Sequence, residues 1–240
     1  MSIFKKLFSK AKHIRYENGE IYTGGIKGGL MHGKGRLEFP DGKLYMGEFK
    51  NDKVDGRGSM TYTDGSVYEG EWKNNKIHGK GKYTGFEGDI YIGDWKDGVR
   101  SGKGKLMLPN GNTYNGDWVN DSMEGFGKYN WADGSFYEGE WKDNKREGKG
   151  IFVLPGEYAY DGEFKNNTYT GEGKLMYLDK YTYFGQFKDN LFHGHGTMMV
   201  EKEYVYIGGW KNGLRHGQGE LMLNDGRAIS GKWENNEFIG

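Results

Sequence analysis

The chain has 240 residues, no cysteine and a formal net charge of zero, from 34 basic and 34 acidic side chains. Without cysteine there is no disulfide, no thiolate metal site and no cysteine nucleophile, and a reducing compartment is the natural setting. Hydrophobic residues make up 35% of the chain while aromatics reach 16%, a balance that favours large rings buried in a thin sheet over a thick aliphatic core. No apolar run approaches the roughly 20 residues that a membrane span needs, and no secretory signal is visible.

The charge is unevenly placed. Residues 1–16 carry Lys5, Lys6, Lys10, Lys12 and Arg15 with no acid. Ile3, Phe4, Leu7, Phe8, Ala11 and Ile14 recur among them at helical spacing, which predicts a basic amphipathic helix over residues 3–15. Three roles are open to it. It can cap the open end of the structure formed by the remaining residues. It can dock on an anionic membrane or a partner through Phe4, Lys5, Lys6, Leu7, Phe8, Lys10, Lys12 and Arg15. It can also serve as an organelle presequence. The rest of the chain is net acidic, which argues against nucleic acid as a partner, because phosphate binding needs a dense basic surface.

Residues 1–17 thus form one unit and 18–240 another, because from Asn18 onward the chain repeats. A tyrosine recurs every 23 residues from Tyr22 to Tyr206, with Ile229 in the tenth place. Two residues after each comes glycine, from Gly24 to Gly231, and four after it comes Phe or Trp, with Ile26 as the aliphatic exception. A Gly-x-Gly pair closes each unit, from Gly33/Gly35 to Gly217/Gly219, and Gly240 opens the last one. A fixed period of this length is the signature of a repeat architecture and outranks any local reading.

Within a repeat, apolar residues alternate with period two, so each is read as two short strands. In the second repeat, residues 35–39 and 44–49 form the strands and Pro40-Asp41-Gly42-Lys43 the turn. Similar Asn-Gly or Asp-Gly pairs stand at 18–19, 64–65, 110–111, 133–134 and 225–226, and such pairs favour two-residue hairpins with φ > 0 at both positions. Each repeat is then one β-hairpin plus a glycine-rich connection. The Leu37 and Phe39 columns should pack on the Tyr and Trp/Phe columns, giving an all-β, elongated and twisted antiparallel sheet held by ring contacts between repeats. The opposite face carries an acidic column (Glu48, Glu71, Asp94) beside a basic one (Lys50, Lys73, Lys96), most simply a solvated surface with weak ion pairs.

The pattern Tyr-x-Gly-x-Trp-Lys-Asn-x-x-x-x-Gly-x-Gly at period 23 resembles the MORN repeat (membrane occupation and recognition nexus), over nine full copies and a partial tenth. The resemblance implies a single sheet of stacked hairpins. In several enzymes and junctional membrane proteins such repeats accompany a separate domain that carries the activity, and these 240 residues leave no room for one. Chains made of MORN repeats alone resemble cytoskeletal and ciliary scaffolds such as radial-spoke-head proteins. The resemblance therefore implies a non-enzymatic scaffold, with protein partners in a cytoskeletal or axonemal complex and a cytoplasmic, ciliary setting. The family name also allows a peripheral membrane tether, which only the basic N-terminal segment supports.

No catalytic constellation, cofactor motif or metal signature stands out. The Gly-x-Gly pairs lack the Lys-Ser/Thr of a phosphate loop and join strands instead of opening a helix. His193, His195 and His216 lie close enough in the repeat pattern for a three-nitrogen metal site, against the simpler reading of solvated loop histidines. The clearest departure lies in repeats seven to nine. Their turn glycine becomes Glu157, Lys180 and Glu203, and the position two before the tyrosine becomes Tyr158, Tyr181 and Tyr204. With Phe184 and Phe192, these rings are the predicted partner-binding residues, since Tyr and Phe are favoured interface anchors. The alternative is that they extend the internal stack. Finally, the tenth repeat stops short of its closing hairpin, so the Trp233 strand is expected to be an open edge that invites self-association.

Overall fold

The computed structural model describes residues 11–240, which form 21 strands and no helix: an open, all-β antiparallel sheet. They divide into two compact units, ending and beginning at Asp121 and Ser122. The first holds β1 (Lys12–Arg15), β2 (Ile21–Lys27), β3 (Leu30–Glu38), β4 (Leu44–Lys50) and β5 (Lys53–Thr61). It continues with β6 (Val67–Lys73), β7 (Lys76–Thr84), β8 (Ile90–Lys96), β9 (Val99–Met107) and β10 (Thr113–Val119). The second holds β11 (Ser122–Asn130), β12 (Phe136–Lys142), β13 (Lys145–Leu154), β14 (Tyr158–Lys165), β15 (Thr168–Tyr177) and β16 (Tyr181–Lys188). It ends with β17 (Leu191–Val200), β18 (Tyr204–Lys211), β19 (Leu214–Leu223), β20 (Ala228–Glu234) and β21 (Glu237–Phe238). Within each unit every strand pairs antiparallel with its chain neighbours, so each is a meander.

Most of the predicted helix lies outside the described residues. Its last four residues correct the prediction: Lys12 to Arg15 are strand β1, paired with Gly24 to Ile21 of β2. The free backbone groups of an edge strand offer these residues hydrogen bonds that a one-turn helix end cannot match, and His13 Nδ1 adds a contact to Thr23 Oγ1 at 3.0 Å.

Both connections of each repeat are hairpin turns, and their types are the reverse of the expectation. At the Asp-Gly sites only glycine has positive φ, as at Gly42 (92°). The Gly42 N–H donates to the Phe39 carbonyl at 2.9 Å, and the Asp41 carboxylate accepts the Lys43 N–H at 3.1 Å. This is a turn with a glycine bulge, in which Asp serves as an acceptor for the amide two residues on. The two-residue turns with φ > 0 at both positions stand instead at the Lys-Asn-Asn stretches, for instance Asn74 (49°) and Asn75 (68°). There Asn75 also ties repeats together. Its N–H donates to the Val54 carbonyl at 2.9 Å, and its Oδ1 accepts the Val54 N–H at 2.7 Å. Asn144 holds Met123, Asn167 holds Arg146 and Asn190 holds Tyr169 in the same way.

The core is a ladder of rings. Nine column tyrosines from Tyr22 to Tyr206 are at most 1% exposed. Tyr45, Tyr68, Tyr91, Tyr137, Tyr160, Tyr183 and Tyr206 each wedge edge-to-face between the aromatic residue of their own repeat and that of the next, as Tyr45 does between Phe49 (5.2 Å) and Trp72 (5.4 Å). The Tyr68 hydroxyl donates to the Glu71 carbonyl at 3.1 Å, and the Trp72 indole N–H donates to the Gly58 carbonyl at 3.3 Å. Each ring thus buries large area and satisfies its polar atom. The ring of Tyr68 lies over the cross-strand pair Gly70–Gly81, where a Cβ at Gly81 would come within 2.2 Å of the tyrosine oxygen.

The acidic column is more than a solvated surface. Glu48 and Glu140 accept the backbone N–H of Arg57 and Lys149, at 3.1 and 3.0 Å, across the bulges at Gly56 and Gly148. The cations that pair with this column sit inside the Gly-x-Gly motifs, as in Lys80–Asp94 at 2.6 Å; that bond and its charge hold the Asp94 carboxyl below the usual range.

Candidate functional site

The predicted partner-binding rings lie in the second unit, and a change of turn creates their setting. At Gly156, Asp179 and Lys202 the left-handed residue comes one position earlier than in the other repeats (φ 78°, 53° and 62°). The flanking strands lengthen to eight and ten residues, against seven and nine elsewhere. The extra residues are Tyr158, Tyr181 and Tyr204 on one side, with Leu154, Tyr177 and Val200 opposite them.

These rings join each other on the ladder face. Tyr158 stacks on Tyr177 at 5.6 Å and lies 5.8 Å from Phe152; Tyr177 meets Tyr181 at 5.6 Å. Trp131 extends the row at 5.7 Å from Phe152. The row is half-buried, outside the fully buried tyrosine column. Tyr204 stands apart from these ring contacts: its hydroxyl meets the Met198 sulfur at 3.9 Å and its ring lies 6.0 Å from the Arg215 guanidinium. Burial raises the Tyr181 hydroxyl above its ordinary pKa, with Tyr177 adding to the effect.

Phe192 takes a different role from the three tyrosines. It stacks on Tyr183 at 4.0 Å and packs against Trp210 at 5.3 Å, so it roofs the ladder. Tyr169 does the same to Tyr160 at 3.8 Å. Phe184 points to the opposite face, next in sequence to buried Tyr183; it is 41% exposed and lies under the Lys174 ammonium at 5.0 Å. The structure therefore brings Tyr158, Tyr181, Phe192 and Tyr204 to one face and leaves Phe184 out. Of the predicted docking residues near the N-terminus, Phe4, Lys5, Lys6, Leu7, Phe8 and Lys10 lie outside the described residues, while Lys12 and Arg15 are on β1.

One group on this face is absent from the sequence prediction. The column that roofs the ladder holds Met31, Val54 and Ile77, then Arg100, Met123, Arg146, Tyr169, Phe192 and Arg215. Arg100 sits 4.3 Å from the Trp118 ring centroid, Arg215 sits 4.5 Å from that of Trp233, and Arg146 lies 5.2 and 5.3 Å from Phe152 and Phe164. The period-23 alignment places these arginines among apolar residues, which is the signal that would have found them. Beside Arg146 opens a groove of about 540 Å³, lined by Trp131, Phe152, Leu154, Tyr158 and Tyr169 among others. His193, His195 and His216 do not converge: among the described residues no group of three or more His, Cys, Asp or Glu is placed to hold a metal ion.

The family model for the MORN repeat matches nine segments: 22–43, 45–67, 68–90, 91–113, 114–136, 137–156, 160–179, 183–199 and 206–226. The chain belongs to the MORN repeat family. The Tyr, Gly and Trp columns described above recur within these segments, and this family is one of repeat scaffolds. No curated protein sequence is significantly similar to the chain. Among solved structures, the TCP10 domain of Danio rerio CPAP, in complex with a STIL peptide, matches at 12% identity and a TM-score of 0.34, covering 93% of this chain and all of that one. The TCP domain of Drosophila melanogaster SAS-4, in complex with a proline-rich motif of Ana2, matches at 13% identity and a TM-score of 0.28, covering 96% and 91%. Likenesses this weak carry no argument about this MORN chain.

Proposed function

We propose that this MORN array is a non-enzymatic scaffold that holds protein partners in a cytoskeletal assembly, with a ciliary axoneme as its setting. The observation that supports the reading is the half-buried aromatic row from Trp131 to Tyr181, which lies on a face whose buried ladder is complete without it. Rings of this kind, held in place by each other, lose little freedom on binding and make effective anchors.

Two experiments test the proposal. After detergent extraction of the native cells, a scaffold stays with the cytoskeletal fraction and copurifies with tubulin or spoke components. Release into the detergent phase refutes that setting. The triple variant Y158S/Y181S/Y204S should lose partner capture while still melting cooperatively, because every column tyrosine remains. Loss of cooperative melting assigns the row to the core.

A second reading, a peripheral membrane tether, draws support from the acid-free segment of residues 1–16 with its alternation of apolar and basic residues. Salt-sensitive sedimentation with anionic liposomes that vanishes on deleting residues 1–16 would favour it over the scaffold.

A further inference from the structure

We propose that Arg146 and the groove beside it form a recognition site for an acidic side chain, Asp or Glu, carried next to an apolar residue in a peptide segment of a partner protein. The inference rests on the scaffold reading and names the chemistry of its partner.

The repeat supplies its own control. At Arg100 the neighbouring turn carries Asp121, whose carboxylate lies 3.0 Å from the guanidinium Nε and whose carbonyl accepts a further N–H at 3.1 Å. That arginine is neutralised in place. At Arg146 the turn residue in the same position is Asn167. Its carbonyl accepts one guanidinium N–H at 2.9 Å, and its Oδ1 takes only the Arg146 backbone N–H. Among the described residues Arg146 has no ion pair. A half-buried cation is thus left over rings, lining an open groove, and burial makes the charged form harder to keep. An uncompensated charge in such a place gains far more from a partner than a solvated one does.

Two features select the ligand. The groove walls are aromatic and aliphatic, with room for an apolar side chain beside the anion. The lining also includes Asp133, which accepts the Ser135 hydroxyl at 2.6 Å and the Ser135 N–H at 2.9 Å and is held in its charged form by them. A carboxylate in the same lining repels a doubly charged ligand more than a singly charged one, which disfavours a phosphate dianion against a single Asp or Glu. Arg215 has the same turn change, to Asn236, and its guanidinium lies 4.5 Å from Trp233, but it is Arg146 that lines the groove described above.

The test pans a random twelve-residue phage-displayed peptide library on the whole chain and on R146Q and N167D. The second variant restores the carboxylate that Asp121 provides to Arg100, at a turn position where Asp already occurs, so it keeps the fold. The wild-type chain should enrich peptides with Asp or Glu beside an aliphatic or aromatic residue. A synthetic peptide from that set should bind R146Q and N167D at least tenfold more weakly, and its Glu→Gln version should lose about tenfold on wild type only. Both variants should melt within a few degrees of wild type or, for N167D, above it.

Acid-free peptides, or peptides captured equally by R146Q and N167D, overturn the Arg146 site while leaving the scaffold reading intact. Capture of no peptide at all counts against both. Arg146-dependent binding of inorganic phosphate or of phosphatidylserine vesicles, tighter than that of any peptide, overturns the choice of ligand.

Discussion

The glycine pairs beneath the tyrosines make the sharpest test of the fold, and Gly70→Ala isolates it. Gly70 has ordinary extended backbone, so alanine there should stabilise the chain by about 0.4–1 kcal/mol through the unfolded state. Packing works the other way. The added Cβ would lie 2.4 Å from the Tyr68 hydroxyl oxygen, 2.5 Å from the Gly81 Cα and 2.7 Å from the Lys80 carbonyl oxygen. Ordinary carbon contacts need about 3.5–4.0 Å, so β6 and β7 must part by roughly 1 Å where Gly70 faces Gly81. Overpacking of that kind costs about 1–3 kcal/mol, and stretching the two flanking backbone hydrogen bonds adds about 1 kcal/mol each. The net expectation is a loss of about 2–4 kcal/mol, against which the entropic gain is small. Hydrogen exchange read strand by strand is the right assay, because a repeat array need not unfold in one step. Protection should fall most in β6 and β7 and fade with distance. If G70A stays within about 0.5 kcal/mol of wild type, the close approach of ring and backbone does not hold the repeats together.

The same geometry sets two further outcomes. Burial raises the Tyr22 hydroxyl to about 12 and those of Tyr45, Tyr68 and Tyr160 further. The unfolded chain therefore releases these protons first: stability is full below pH 10 and is lost as pH rises above it, by about 1.4 kcal/mol per pH unit for each such tyrosine. Ultraviolet titration should show tyrosine ionisation and loss of β circular dichroism together, and tyrosines titrating near pH 10 in an intact fold would contradict it. Asn75→Gly keeps the left-handed turn and loses only the bond to the Val54 N–H, about 1 kcal/mol. Asn75→Ala loses the bond and also strains the turn, so urea unfolding should rank wild type above N75G and N75G above N75A.

Much of this protein was legible in the residues because its contacts are local and periodic. A 23-residue spacing with no insertion forces every repeat into the same register, and period-two alternation decides which side is buried. The fold class and the ring columns come from those two facts. The turns were harder to read. Asp-Gly and Asn-Asn both favour left-handed backbone, and only the strand pairing shows that the first makes a glycine bulge while the second makes the two-residue turn and clamps the preceding repeat. Likewise Lys12 to Arg15 end a segment whose apolar residues have helical spacing, yet the free edge of β2 turns them into a strand.

The functional face shows the same division. Tyr158, Tyr181 and Tyr204 stand out in sequence because they break the repeat, whereas Phe184 looked equivalent and turned out to face the other way, one residue out of step with the pleat. Arg146 gave no local signal at all. Its meaning depends on which residue occupies the turn 21 positions later, Asn167 where another repeat has Asp121. Sequence alone determines which residues recur, and hence the ladder. Only the tertiary structure decides which charge is left without a partner, because electrostatic pairing is set by distance between neighbouring repeats and not by order along the chain.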